Sequence, residues 1–246
     1  MSLSASMQIS DQDIYSTSLA QGGESLGQVG QTADGRMFKY SKSGAVALAP
    51  GLLTNPTAIV ANSVTRTLGA GNTYATGSQQ FTFTLGATAV TQDQYAGGYL
   101  VVTDGTGKGQ TLVVVGNTAA TAGNSYSITV KTGDAVNVAL DATSVVGLYP
   151  NLNANVVLAA ASATVPVTGV PVVNIPAVSF YWSQVGGYAS VLSAGAITKN
   201  AGAIVSAAVQ GAATIELAAT VTQRVGYAPE LTVDTKYSPL VLNIAS

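Results

Sequence analysis

The side chains that most often carry enzyme chemistry are missing from this sequence. Its 246 residues include no histidine and no cysteine. Histidine is the commonest general base and metal ligand, and cysteine supplies thiolate nucleophiles and thiolate ligands. Catalysis by a Ser-His-Asp triad or a Cys-His pair is therefore impossible, and no disulfide can form. We predict that the protein is not an enzyme and that it binds no cofactor and no metal ion.

Carboxylates could still support hydrolysis, because two Asp or Glu residues across a cleft can cleave a glycosidic bond. The candidates for such a pair are Asp104, Asp134, Asp141, Glu216 and Glu230. No two of them have a spacing that indicates a shared site, so we interpret them as solvated turn or capping residues.

Two short motifs resemble ligand-binding loops without meeting their requirements. The run Gly105–Gly109 has the letters GTGKG, but a phosphate-binding loop needs Ser or Thr after the lysine and a helix to follow. Asp11 and Asp13 lack the third ligand and the glycine of a calcium loop. We expect a hairpin turn at the first motif and a solvated segment at the second.

One aromatic cluster, Phe180-Tyr181-Trp182, could contribute to binding. The period of a β-strand places Phe180 and Trp182 on one face and Tyr181 on the other. Aromatic side chains in strands are usually buried, so we predict that Phe180 and Trp182 pack in the core. Tyr181 lies between two serines and is the candidate for an interface or sugar contact.

The basic residues are scattered except for Arg36, Lys39 and Lys42. These three form the only local positive group, which we predict to dock onto an acidic protein surface. The alternative is a solvated hairpin tip.

The composition indicates a surface with little charge. Hydrophobic residues make up 47% of the chain, charged residues make up 8%, and the formal net charge is −2. There is no dense basic stripe for nucleic acid and no uninterrupted apolar run that could span a membrane. The first 21 residues also lack the pattern of a secretory signal. We therefore expect neither nucleic-acid nor membrane binding, and exposed faces that are either lined by hydroxyl groups or covered by neighbouring subunits.

Residues 1–30 have the composition of a polar extended arm, rich in Ser, Gln and Gly. Such a segment buries too little apolar surface to offset the entropy lost on ordering. We predict that the arm is disordered in the isolated subunit and becomes ordered across a neighbouring subunit. Its interface candidates are Ile9, Ile14, Tyr15 and Leu19.

The rest of the chain has the sequence pattern of short β-strands. Phe81, Phe83 and Leu85 alternate with polar residues, and the strands 99–103 and 111–115 flank a glycine-rich turn. A further hairpin is predicted from 36–41 into 45–49. We predict an all-β fold with almost no helix, built as a β-sandwich or as one or more barrel-like domains. A β domain is expected at 31–155. Residues 156–246 are expected to form a second β domain or to continue the same fold.

Three stretches resemble the decoration, or cement, proteins of tailed bacteriophage heads. They are Thr32–Leu53 with the run TADGRMFKYSKSG, Asp93–Thr118 with TDGTGKGQ, and Gly169–Ser193 with FYWSQVGGY. The likeness lies in the order of the blocks: an arm, a basic hairpin, a glycine-rich hairpin and an aromatic strand before a β-rich tail.

This resemblance implies a virion structural protein on the capsid exterior. Such a protein binds the major capsid protein of a completed lattice from outside, forms a homo-oligomer, with a trimer favoured over a dimer, and stabilises the shell.

Two other classes stay open. One is a phage tail or fibre component, or a β module of a bacterial surface layer or adhesin. The other is a carbohydrate-binding module, which would use Tyr181, Trp182 and Tyr188.

Overall fold

The structure is a computed structural model that describes residues 7–121, 127–161, 165–217 and 223–244. The chain forms two compact units. The first unit comprises Met1–Thr57 and Leu152–Ser246, and the second comprises Ala58–Asn151. The predicted boundary at residue 155 lies close to the point where the chain returns to the first unit. The predicted domain at 31–155 needs a correction, because residues 31–57 belong to the first unit and not to the second.

The predicted all-β fold is confirmed. Helix in the described residues is confined to two short 3-10 turns, Asp13–Tyr15 and Ala61–Ser63. The strands of the first unit are β1 (Met7–Gln8), β2 (Val29–Gln31), β3 (Met37–Lys42), β4 (Thr54–Asn55), β11 (Val157–Leu158), β12 (Val170–Pro171), β13 (Phe180–Leu192), β14 (Gly202–Val205), β15 (Ala213–Ile215), β16 (Arg224–Tyr227) and β17 (Tyr237–Asn243). The strands of the second unit are β5 (Arg66–Thr67), β6 (Gln80–Thr84), β7 (Tyr99–Asp104), β8 (Thr111–Asn117), β9 (Ser127–Thr132) and β10 (Val145–Tyr149).

The long strand β13 organises the first unit. The main sheet has the order β1-β2-β3-β13-β17-β16-β14-β15, and β12 also pairs with β13. One end of β13 pairs with β3 and the other end pairs with β17, so the strand connects strands from the N-terminal and C-terminal parts of the sequence. The predicted hairpin from 36–41 into 45–49 is wrong, because β3 pairs with β2 and β13 instead. These partners include a strand about 140 positions away, which local patterning does not reveal.

The described part of the predicted arm packs on its own unit. Strand β1 pairs with β2, and Ser18 and Phe180 exchange two backbone hydrogen bonds of 2.7 and 3.1 Å. Ile9 and Ile14 are buried in a cluster with the aromatic side chains Phe38, Tyr40, Phe180 and Trp182. The prediction that the arm is disordered in the isolated subunit is therefore wrong for residues 7–30, and residues 1–6 lie outside the described part.

The arm orders because it covers an aromatic surface. Tyr40 stacks on Phe180 with 5.8 Å between ring centroids, and Trp182 is tilted against Tyr40 at 5.2 Å. Burying two isoleucines on such a surface removes a large apolar area from water at each contact, so a few apolar residues suffice. Composition alone underestimates this gain because it does not show what the arm packs against.

The second unit is a nearly closed six-stranded sheet with the order β5-β10-β7-β8-β9-β6. The edge strands β5 and β6 contact each other. The predicted strand 80–85 is confirmed by β6, with Phe81 and Phe83 buried. The predicted glycine-rich hairpin is confirmed by β7 and β8, where Gly105, Gly107 and Gly109 all adopt positive φ. The inward-facing side chains of this sheet form a core of their own.

Candidate functional site

The structure does not bring the predicted basic residues together. Arg36 and Lys42 lie on the face of β3 that carries the aromatic cluster, and Lys39 lies on the opposite face. The Lys42 ammonium sits 5.0 Å from the centroid of the Phe180 ring, and burial lowers the pKa of Lys39. A single basic docking patch is therefore not formed, and the docking role of these residues stays a prediction.

Tyr181 is not available for contact with a partner. It is 1% exposed and packs with Leu48, Val156 and Ile175. Burial raises the pKa of its hydroxyl above the ordinary value. Strand alternation does place Tyr181 opposite Phe180 and Trp182, as predicted, but both faces of this part of β13 are covered. The expectation of an exposed face at Tyr181 is therefore corrected, and Trp182 is also buried.

Of the four interface candidates in the arm, two are buried and two are exposed. Ile9 and Ile14 are core residues of the first unit, which corrects their prediction as free contact residues. Tyr15 and Leu19 are 56% and 77% exposed. Reciprocal hydrogen bonds between Ser10 and Asp13, with distances of 2.8 to 3.2 Å, close the turn that points Ile14 inward and leaves Tyr15 at the surface.

Tyr15 belongs to a groove that the sequence did not predict, although Tyr15, Arg36 and Tyr188 were each named as candidates for separate contacts. We call it the tyrosine groove, and it has a volume of about 450 Å³. Three tyrosines from distant segments border it: Tyr15 from the arm, Tyr188 from β13 and Tyr237 from β17. Arg36 joins them at the turn between β2 and β3. Because these residues come from four separate places in the chain, no local motif could have indicated the site.

A β-bulge positions Tyr188. The pairing of β13 with β3 shifts register between Gln184 and Gly186. The buried Gln184 amide donates hydrogen bonds to the carbonyl oxygens of Gly186 and Tyr188, at 3.1 and 2.8 Å. Bulges of this kind redirect a side chain at a sheet surface. The bulge and the amide therefore hold the Tyr188 backbone in one conformation.

Gly51 positions Tyr237. Gly51 has a φ of +73°, and a Cβ atom there would lie 2.6 Å from the Tyr237 ring and 2.8 Å from the Ser190 carbonyl oxygen. The ring of Tyr237 therefore lies against the glycine backbone. Hydrogen bonds of 2.9 Å from Gly51 to Pro171 and from Leu192 to Gly51 fix this backbone in place.

Acidic side chains hold the Arg36 guanidinium. Its Nε donates to Asp34 Oδ2 at 2.7 Å, and its Nη2 lies 3.6 Å from Asp11 Oδ1. Burial alone would lower the pKa of Arg36, but hydrogen bonding to Asp34 and Tyr15 raises it above the ordinary value. The cation is thus oriented, and the two carboxylates balance its charge.

Asp34 should stay ionised to a lower pH than an ordinary aspartate does. Hydrogen bonds from Thr32, and then from Arg36, lower the pKa of Asp34 to about 2. A lowered folded-state pKa means that the stabilising contribution is complete above the unfolded value of about 4 and is lost as the pH falls towards 2. A carboxyl-carbon NMR titration should therefore give an Asp34 midpoint near 2, and Thr32→Val should raise it. A parent midpoint near 4 would contradict this geometry.

A second candidate surface lies on the outside of the sheet in the second unit. Tyr149 pairs with Tyr99 across β10 and β7, and Tyr99 pairs with Val113 across β7 and β8. Val101 and Val115 follow on the same face by strand alternation. We call these five residues the apolar sheet face. Tyr99, Val113 and Val115 are exposed, and the face is flanked by threonines at Thr103 and Thr111.

Neither surface has the composition of a metal site. No group of three or more Asp, Glu, His or Cys residues lies together in the described parts of the chain. Within the same residues, no helix is long and apolar enough to cross a membrane. Comparison of the chain with models of protein families, with curated proteins and with solved structures gave no match.

Proposed function

We propose that the protein is a non-enzymatic virion structural protein that binds the outer surface of a bacteriophage capsid lattice and stabilises it. Its partners are the major capsid protein and further copies of itself. The order of blocks in the sequence, which resembles that of capsid decoration proteins, supports this assignment. The scarcity of charged residues, at 8%, also favours a surface that is covered by protein neighbours.

The apolar sheet face is the observation that carries the proposal. Large contiguous apolar patches on a protein surface mark sites of protein contact, and here Tyr99, Val113 and Val115 are exposed side by side on two paired strands. Protein interfaces combine an apolar, aromatic centre with a polar rim, and this face has tyrosine and valine at its centre and threonine around it. A regular sheet surface is also rigid, so it loses little conformational freedom when it docks on a lattice.

The location can be tested by cryo-electron microscopy of the source particle. We expect density for a 24.6 kDa protein on the outside of the capsid, arranged around a local symmetry axis. Density inside the shell, on the tail, or absent from the particle would contradict the proposal.

The contact face can be tested with a charge-neutral double variant, Val113→Lys with Val115→Glu. The new lysine lies near Asp134, which accepts a hydrogen bond from the Val113 amide, and the new glutamate lies near Lys131. We expect binding to capsids stripped of this protein to weaken at least about tenfold, because apolar contact is lost at the centre of the interface. Melting of the free protein should change little, since both side chains are exposed.

The matched control is Val138→Lys with Ile59→Glu, which also replaces two exposed aliphatic side chains by Lys and Glu, at positions outside the strands. The control should bind capsids like the parent. If the Val113/Val115 variant also bound like the parent, this face would not be the contact surface.

A further inference from the structure

We propose that the tyrosine groove is a carbohydrate-binding site that accepts a neutral, extended glycan. The groove belongs entirely to the first unit, so this inference does not depend on attachment to a capsid. It assigns a ligand to Tyr15, Tyr188 and Tyr237, three residues that the proposed capsid contact through the apolar sheet face does not use.

The exposure of the three tyrosines is the first argument. Tyr15, Tyr188 and Tyr237 are 56%, 64% and 54% exposed, although each borders the same concave surface. A tyrosine ring offers an apolar face and a polar hydroxyl, so it is favoured where a ligand is partly apolar and partly wet. A sugar ring has this character, with C–H groups on its faces and hydroxyl groups around its edge.

Preorganisation is the second argument. The β-bulge with the Gln184 amide holds Tyr188, and the glycine backbone at Gly51 supports Tyr237. Asp34 fixes the Arg36 guanidinium, which can present N–H donors in a defined direction. Binding sites for small molecules typically combine aromatic walls with a few polar groups placed in this way. Little ordering of the protein is then needed when the ligand binds.

The length of the groove indicates an extended ligand. Tyr237 lies opposite Leu192 in the sheet, and Leu192 is four residues beyond Tyr188 along β13. At about 3.3 Å per residue, the backbones of the two tyrosines are separated by about 13 Å. A ligand that engages both tyrosines must extend between these two places in the sheet, which favours an oligosaccharide over a single sugar.

The charge and the backbone of the groove disfavour other ligands. Asp34 and Asp11 balance Arg36, so a strongly charged polymer gains little electrostatic attraction. A peptide that binds by adding a strand needs unpaired backbone groups at a sheet edge. Here β13 is paired with β17 along one edge at Tyr188, the Tyr188 carbonyl oxygen accepts a hydrogen bond from the Gln184 amide, and the Gly51 N–H donates to the Pro171 carbonyl oxygen.

The test uses the full chain and a printed array of bacterial surface polysaccharides and neutral oligosaccharides of four to eight units. We expect binding to at least one neutral glycan, with the affinity then measured by titration calorimetry. Tyr188→Ala and Tyr237→Ala should each weaken that binding at least about tenfold, whereas Tyr188→Phe should retain most of it because the ring is kept.

Tyr227→Ala is the matched control, since Tyr227 is exposed on β16 of the same unit but lies outside the groove. It should bind like the parent. The proposal is overturned if no glycan on the array binds, if Tyr188→Ala and Tyr237→Ala bind like the parent, or if a polyproline peptide binds the groove and the glycans do not. If the protein failed to bind capsids, by contrast, the glycan-binding result would not be affected.

Discussion

Replacing Ile14 by alanine is expected to lower the free energy of unfolding of the first unit by about 2–5 kcal/mol. Ile14 is 1% exposed and packs into the aromatic cluster formed by Phe38, Tyr40, Phe180 and Trp182. The substitution removes three carbons from a site enclosed by aromatic rings, which have little freedom to close the cavity. Equilibrium urea denaturation, followed by fluorescence of the single tryptophan, Trp182, measures this change directly.

The matched control is Leu19→Ala, in the same arm. Leu19 is 77% exposed, so its truncation should alter the free energy of unfolding by no more than about 0.5 kcal/mol. If the arm were ordered only by a neighbouring subunit, neither variant would change the stability of the isolated protein. Equal small effects of both substitutions would therefore restore the idea of an arm that crosses to a neighbour.

Deleting residues 1–20 should have a larger effect than Ile14→Ala. The deletion exposes the aromatic cluster and removes the hydrogen bonds that Ser18 makes to Phe180. We expect a lower melting temperature and aggregation through the uncovered rings. It should also remove Tyr15 from the tyrosine groove, so the arm connects the stability of the first unit with its proposed ligand site.

Features determined by neighbouring residues could be predicted from the sequence. The hairpin of β7 and β8 was predicted because its glycines specify the turn, and β6 was predicted because Phe81 and Phe83 alternate with threonine. Both signals lie within a few residues of the structure they describe.

Features determined by distant residues could not be predicted. β3 was assigned to the wrong hairpin: it pairs with β2, which precedes it in the sequence, and with β13, which lies about 140 residues away. Tyr181 was expected at the surface because alternation gives the face of a residue but not what covers that face. The tyrosine groove combines residues between positions 15 and 237, so its existence depends on the topology of the sheet.

The second unit, residues 58–151, is expected to fold when it is produced alone. Its core is formed by its own side chains, among them Phe81, Phe83, Leu100 and Leu148. The first and last strands of this unit, β5 and β10, pair with each other. A fragment of this size with its own core and paired ends meets the conditions for independent folding. A cooperative thermal transition of the fragment, with a β-type far-ultraviolet spectrum, would establish this.

The full chain should then unfold in two steps that respond to different substitutions. Phe81→Ala removes a fully buried ring and should destabilise the second unit by about 3–5 kcal/mol, while Ile14→Ala should affect the first unit alone. The tryptophan reports on the first unit because Trp182 lies there, so its transition should not move in Phe81→Ala. If Phe81→Ala shifted the tryptophan transition as strongly as Ile14→Ala, the two units would unfold as one cooperative structure and the second unit would not be autonomous.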